Sequence, residues 1–522
     1  MWLIDNQTME LKEFMGVTPP PYAILSHTWE DQEVSFREMM SGPSGSVKEK
    51  KGYAKIRQTC LISAQEGLRY AWVDTCCIDK SSSSELSEAI NSMYRWYKDS
   101  AVCYAYLSDL DSQAPVEGWL SRCRWFSRGW TLQELIAPSK VVFYDMGWTE
   151  RATKQSMKEA ISRITRIPAG VLLGKSTLES HSVAARMSWA SKRTTTRIED
   201  MAYCLLGLFD VNMPLLYGEG NKAFLRLQEE ILRKADMSLF AWKWNTENEN
   251  YCGLFAQSVA DFETCNMLLT GTWRPEISVT SRGICILSPN LLYSQRPSPH
   301  FFLNVGGYFD RFGRFALLYV VLQRYKTFFV RDNSFYSGIY RVGLGDPRAL
   351  LPYDLPKVYL AQLSSEKISK PLFDEFRERS CRLELEDGLR VFEVVPETIW
   401  DPAHSIIIGY HEAAVVLIGR PGSINETMAI FIPSGRRQDE FHILPATSPA
   451  LPSLLRRPSL ISSDGLKPYD QYPVHDKLPQ NEKWQSTWST EVPLGDDTVH
   501  VKMISYDKVT LRGILSLRLS PD

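Results

Sequence analysis

Residues 70–80 read Tyr70-Ala-Trp-Val73 followed by Asp74-Thr-Cys-Cys-Ile-Asp79-Lys80, four apolar residues that stop abruptly at a polar tail. An unbroken apolar run suits a strand buried on both faces, as in a parallel sheet. Tyr22-Ala-Ile-Leu25 repeats the device and ends at Ser26-His27-Thr28-Trp29. Ala101 to Leu107 does so again, ending at Ser108-Asp109, and Lys140 to Tyr144 is a fourth strand. Helical periods lie between the strands. Tyr53, Ile56, Cys60, Ala64 and Leu68 mark the first, with Gly67 near its end. Ser82 and Glu85 form a capping box before Leu86, Ile90, Met93, Tyr94 and Tyr97, which share one face of the second. Arg122 to Ile136, closed by Pro138, is the third. Strands alternating with helices predict an α/β domain over residues 1–150, its parallel sheet covered on both sides.

Outward from this core, residues 151–242 read as a helical extension packed on the first domain, with Phe224, Leu227, Ile231 and Leu232 at core spacing. From 243 to 522 short β-rich runs take over, among them Gly283 to Leu287, Phe315 to Leu322 and Met428 to Ile432. They predict an all-β domain, a sandwich, with a Pro- and Ser-rich loop at 444–483. A chain of 522 residues is too long for one core, and 44% hydrophobic with 23% charged residues is a globular composition. A net charge of −2 gives no field to gather nucleic acid. No apolar stretch approaches the roughly eighteen residues of a membrane span, and the opening MWLIDNQTMELKEF lacks the features of a secretory signal. The expected location is therefore cytoplasmic. Ten scattered cysteines without C-x-x-C pairs suggest reduced thiols and no metal site.

In an open parallel sheet, ligands bind outside the carboxyl ends of the strands. That places Ser26, His27, Trp29, Asp74, Cys77, Asp79 and Lys80 as candidate ligand-binding residues. Arg128-Gly-Trp-Thr-Leu-Gln-Glu-Leu-Ile136 adds a further set. On a helical wheel Leu132, Leu135 and Ile136 face the core, while Trp130, Gln133 and Glu134 cluster opposite, where a ring and a carboxylate line a pocket. Structural readings stand beside these. Glu134 could pair with Arg128 or Arg124, His27 could be a hydrogen-bonded structural histidine, Cys76 and Cys77 buried thiols, and Asp74 and Asp79 caps of a loop. Residues 169–176, AGVLLGKS, imitate a phosphate-binding loop, but Pro168 and the absence of a leading strand mark an accidental match.

The series AILSHTWED (23–31), GYAKIRQTC (52–60), YAWVDTCCIDK (70–80), ELSEAINSMYRWY (85–97), AVCYAYLSD (101–109) and RGWTLQEL (128–135) resembles the HET domain of fungal heterokaryon-incompatibility proteins. RTTTRIEDMAYCLLGLFDVNMPLLYGEG (193–220) resembles the segment that follows that domain in long members. His27 and Glu30 depart from the Tyr and Gly that many members carry. The resemblance implies a flavodoxin-like, TIR-like fold and a role in nonself recognition and cell death. TIR enzymes that cleave NAD carry W-x-x-x-E on a helix after the third strand, and Trp130 and Glu134 match it. Glu134 is then the expected catalytic group and NAD the substrate, with no permanently bound cofactor. The rival expectation is a non-enzymatic module that signals by self-association of the HET domain or through an incompatibility partner.

Overall fold

The computed structural model describes residues 1–243 except 114, residues 251–269, and from 274 to 519 a series of strands with their immediate neighbours. The N-terminal sheet contains β1 (Trp2–Asp5), β2 (Leu11–Glu13), β3 (Tyr22–His27), β4 (Tyr70–Trp72), β5 (Val102–Tyr106), β6 (Val141–Tyr144) and β7 (Glu150–Thr153), in the order β2-β1-β4-β3-β5-β6-β7. β4, β3, β5 and β6 run parallel. Every residue of β3 is buried, as its central place between two parallel partners requires.

The sheet is mixed rather than wholly parallel, because β1, with β2 outside it, joins β4 antiparallel on one side and β7 joins β6 antiparallel on the other. MWLIDNQTMELKEF supplies the β1–β2 hairpin. Its Asp5 carboxylate is fully buried yet bonded by Lys12 (2.8 Å), Arg69 (3.2 Å) and the Gln7 amide (3.0 Å). Burial raises its pKa, but those bonds prevail and hold it down to about 2.

The chain steps from β3 outward to β4, then crosses back over to β5. This reversal opens a crevice at the carboxyl ends of β3 and β5. Right-handed crossovers in opposite directions put the intervening helices on opposite faces. After two short helices, α1 (Phe36–Met40) and α2 (Gly45–Lys48), α3 (Lys51–Gln65) packs on β3 and β4. α4 (Ser83–Asp99) follows; then come a single turn, α5 (Val116–Trp119), and the short α6 (Thr131–Ile136), which packs on α4 and β3.

Two local expectations change. α3 buries Lys55, Ile56, Thr59, Cys60 and Ser63 while Ala64 is exposed, so its inner face is rotated and carries a lysine. At α4 the Ser82 hydroxyl caps the Glu85 amide (3.3 Å), but the Glu85 carboxylate takes the Asp79 amide (3.0 Å) rather than closing a capping box.

The helices that follow are α7 (Lys158–Thr165), α8 (Ala169–Leu172), α9 (Val183–Ala190), α10 (Asp200–Tyr203), α11 (Leu206–Phe209) and α12 (Lys222–Leu232). α8 contains the first half of the phosphate-loop imitation, and no strand leads into it. α11 lies so close to α4 that a Cβ on Gly207 would sit 2.0 Å from that of Tyr94. Beyond 243, described strands including Gly283–Leu287, Phe315–Tyr325 and Thr427–Ile432 belong to three further sheets. Most of the loop expected at 444–483 lies outside the described residues. Among the described residues no helix is long and apolar enough to cross a membrane.

Packing continues through residue 242. Gln228 exchanges two hydrogen bonds with the Ala256 backbone (both 2.9 Å), Trp242 Nε1 donates to Leu254 O (2.8 Å), and the Ser182 hydroxyl donates to Leu268 O (2.7 Å). A fragment ending at 242 would expose Trp242 and leave the buried amide of Gln228 without these partners, at roughly 1–3 kcal/mol per orphaned group. Residues 1–270 should therefore melt several degrees above residues 1–242. Equal melting temperatures in a side-by-side thermal scan would contradict this.

Candidate functional site

α6 is buried at every position, including Gln133 and Glu134. The wheel reading that set these two opposite the core is thereby corrected: the helix is enclosed on one side by β3 and on the other by the extension. Glu134, 7% exposed, reaches the carboxyl end of β3, where the Ser26 hydroxyl donates to its Oε2. Trp125 Nε1 donates in turn to Ser26 Oγ (2.7 Å). On the other side the Tyr97 hydroxyl bonds both Leu25 O (3.1 Å) and the Glu134 carboxyl.

The single Tyr97 hydroxyl proton is shared between two acceptors, the Leu25 carbonyl and the Glu134 carboxyl. Burial works against the charged form, and with the nearby charge of Asp74 it outweighs the Ser26 and Tyr97 bonds, raising the Glu134 pKa to about 8. Glu134 is therefore a neutral acid at rest. It has no ion pair with Arg124, which instead joins Glu30 (3.3 Å) and Asp109 (3.4 Å), and Arg128 acts on it only through its field.

Beside this neutral chain lies a charged one. Asp74 Oδ2 accepts from Trp29 Nε1 (2.8 Å) and Oδ1 meets His27 Nε2 (3.1 Å). His27 Nδ1 faces Lys55 Nζ (3.3 Å), and Lys55 also bonds Glu33 (2.6 Å) and Thr28 O (3.3 Å). An ammonium only donates, so Nδ1 accepts and the ring carries its hydrogen on Nε2, aimed at Asp74. Burial works against the Asp74 charge, but the His27 bond, the field of Lys80 and the Trp29 bond hold its pKa below the usual value. Lys80 Nζ sits 3.7 Å from the Trp29 ring centre, and that ring is 45% exposed. The cluster thus runs from a buried acid to an aromatic face and a cation at the surface.

Ser26, His27, Trp29, Asp74, Lys80 and Glu134 come together. The remaining candidates do not join them. Trp130 hydrogen-bonds Asp200 of α10 rather than any group at the strand ends. Cys77 is a buried thiol that accepts the Val73 amide (3.4 Å), and Asp79 caps Ser81 (2.9 Å). Gln133 is buried with Nε2 unpartnered among the described residues. The Arg128 carbonyl is occupied by Arg193 (2.8 Å). Sequence reading missed Glu33, Lys55, Tyr97 and Trp125. Lys55 stood inside the quoted GYAKIRQTC motif, and a polar residue one position before the apolar stripe was its only signal. Among the described residues no group of three or more His, Cys, Asp or Glu could hold a metal ion.

Comparison with known proteins supplies a context. Residues 22–122 match the family model described as heterokaryon incompatibility protein (HET). Residues 222–270 match a domain of unknown function, DUF8212. Over 222 residues the chain is 49% identical to the vegetative incompatibility protein HET-E-1 of Podospora anserina, covering 41% of this chain and 16% of that protein. No solved structure matches. Glu134 and Trp125 lie just beyond the residues that the HET model matches.

A neutral buried acid has a signature in pH. The folded pKa of about 8 stands above the ordinary 4.5. The stability it contributes is therefore complete below about pH 4.5 and is lost as the pH rises through 8. At roughly 1.4 kcal/mol per pKa unit the loss is on the order of a few kcal/mol. Glu134→Gln, isosteric and unable to ionise, should escape it. The melting temperature of the wild type should fall against that of the variant between pH 5 and 9; parallel profiles would rule out a neutral Glu134.

Proposed function

The chain carries a heterokaryon-incompatibility (HET) domain, and we propose that it serves in vegetative incompatibility as a cell-death effector whose HET domain cleaves NAD. The observation that carries this reading is that Glu134, bonded to Ser26 where β3 ends, lies within the field of Asp74, which in turn holds Trp29. The strand order β4-β3-β5-β6 supports a TIR-like plan for the domain, and the crevice at its reversal is where such sheets take nucleotides.

The chemistry follows from charge. Cleaving the bond between nicotinamide and ribose builds positive charge on the sugar, which a fixed carboxylate stabilises. Nicotinamide leaves with the bonding electron pair, and water adds to the ribose carbon, giving up one proton. Glu134 begins neutral, but the cationic nicotinamide ring brought beside it favours its ionised form. The carboxylate then forms only when substrate is in place, releasing its proton to solvent, and afterwards takes the proton from the attacking water, which returns it to the neutral acid. Trp29 offers a stacking face, and Lys80 a cation for phosphate. The β-rich part beyond residue 270, where no catalytic motif was found, is assigned recognition or control, and the protein a cytoplasmic location.

A second reading has its own observation. Glu134 is enclosed, with Ser26 and Tyr97 on its oxygens, as in a structural acid. Under that reading the HET domain signals by self-association without chemistry. The full chain, incubated with NAD and assayed for nicotinamide release, separates the two. Glu134→Gln should retain its melting temperature at pH 7 while turnover falls by a factor on the order of 10² to 10⁴. A folded variant that releases nicotinamide, and kills cells, at the wild-type rate would remove Glu134 from catalysis and leave self-association.

A further inference from the structure

The segment Arg193-Thr-Thr-Thr-Arg-Ile-Glu-Asp200 belongs to the extension, beyond the residues matched by the HET family model. It nevertheless holds the start of α6 through backbone and side chain alike. Gly129 N donates to Thr194 O (2.8 Å) and Thr194 N to Ser127 O (2.7 Å), a short parallel bridge that ties the two stretches together. The Arg193 guanidinium, 5% exposed, donates through Nη1 to Arg128 O (2.8 Å) and Thr131 Oγ1 (2.9 Å). Gly129 completes the fit: a Cβ there would stand 2.6 Å from Thr195 Cγ2 and 3.1 Å from Cys204 Sγ.

Arg193 is more than a brace. Its Nη2 is buried and unpartnered among the described residues, and its charge favours the ionised form of Glu134. α6 has six residues, too few to hold its own first turn against thermal motion. We infer that Arg193 is a positioning residue for Glu134: the extension, through Arg193 and the Gly129–Thr195 contact, fixes the turn from which the Glu134 carboxyl meets Ser26. The HET domain would then be competent only with its extension docked, and displacement of the extension would switch the site off. The kinetic part of this inference rests on the reading of Glu134 as a catalytic group; the structural part does not.

The tests use the full chain. Arg193→Met should leave KM for NAD near the wild-type value and lower kcat on the order of 10²-fold, as a misplaced reacting group does. Arg193→Lys, which keeps the charge but not the fork, should recover part of the loss. Hydrogen exchange at the amides of 131–136 should quicken at least about tenfold while β3 and α9 keep their protection. The midpoint of the Glu134 titration, read from the wild-type against Glu134→Gln comparison in each background, should rise when the Arg193 charge is gone. Asp74, Tyr97, Cys103 and Arg128, which also face Glu134, are unchanged in that comparison.

If Arg193→Met does not fold, Gly129→Ala tests the same junction without touching a charge. Its methyl would meet Thr195 Cγ2 and quicken exchange in α6. Adding Thr195→Ser removes that methyl and should restore slow exchange, with Thr195→Ser alone behaving as wild type. Unchanged α6 exchange and titration in folded Arg193→Met would overturn the inference, as would a Gly129→Ala protein that is unaffected or not rescued. A wild type that never cleaves NAD defeats the functional reading, and the exchange measurements still decide this one.

Discussion

A carboxyl group that is 7% exposed and lies near a second carboxylate can stay in place only as a neutral acid or with its charge matched. Much of the N-terminal domain is arranged around the first solution. β3 presents Ser26 at its carboxyl end, α4 presents Tyr97 and the turn before α6 presents Trp125, with Trp125 donating to Ser26, Ser26 to Glu134 and Tyr97 to Leu25 O. Moving any of these elements would leave a buried polar group unsatisfied, so the sheet, α4 and α6 are held in mutual register by a few directional bonds as much as by apolar packing.

The charged network works by alternation. Glu33, Lys55, Asp74 and Lys80 follow one another in sign, with His27 between Lys55 and Asp74. Each buried charge therefore has an opposite neighbour, the condition under which buried ions are tolerated. Because the neutral chain lies deeper and the charged one reaches the surface at Trp29 and Lys80, polarity increases outward. A ligand arriving at the Trp29 face would meet a cation first and a latent acid below it.

The parallel strands were legible because burial on both faces leaves a continuous apolar run, and each run ended where the polar residues began. The edge strands were not. β1 and β7 are four residues each, and Glu150–Thr153 has no buried position to write a pattern. Lys55 was hidden for a related reason: a hydrophobic stripe locates only the apolar part of a buried face, and α3 turns Lys55, Thr59 and Ser63 inward beside it. The W-x-x-x-E spacing correctly separated Trp130 and Glu134 by one turn. It could not show that the Trp130 ring bonds Asp200, seventy positions later in the chain.

The two ends of α6 are unlike in a way that bears on the acid between them. At its C-terminus the buried Lys154 ammonium donates to the carbonyls of Leu135 (3.1 Å), Ile136 (3.5 Å) and Pro138, the end where a helix favours a cation. Burial lowers the Lys154 pKa to about 8, yet those carbonyls give the charge its partners. Arg193 stands at the opposite end, where the helix field opposes a cation. Its bonds to Arg128 O and Thr131 Oγ1 hold it there, but they engage only Nη1. A guanidinium kept buried against the helix field with a nitrogen unused is better placed once a negative charge appears nearby. Glu134 is the titratable group in α6 that can supply one, so ionising it would relieve at Arg193 part of what burial makes that charge cost.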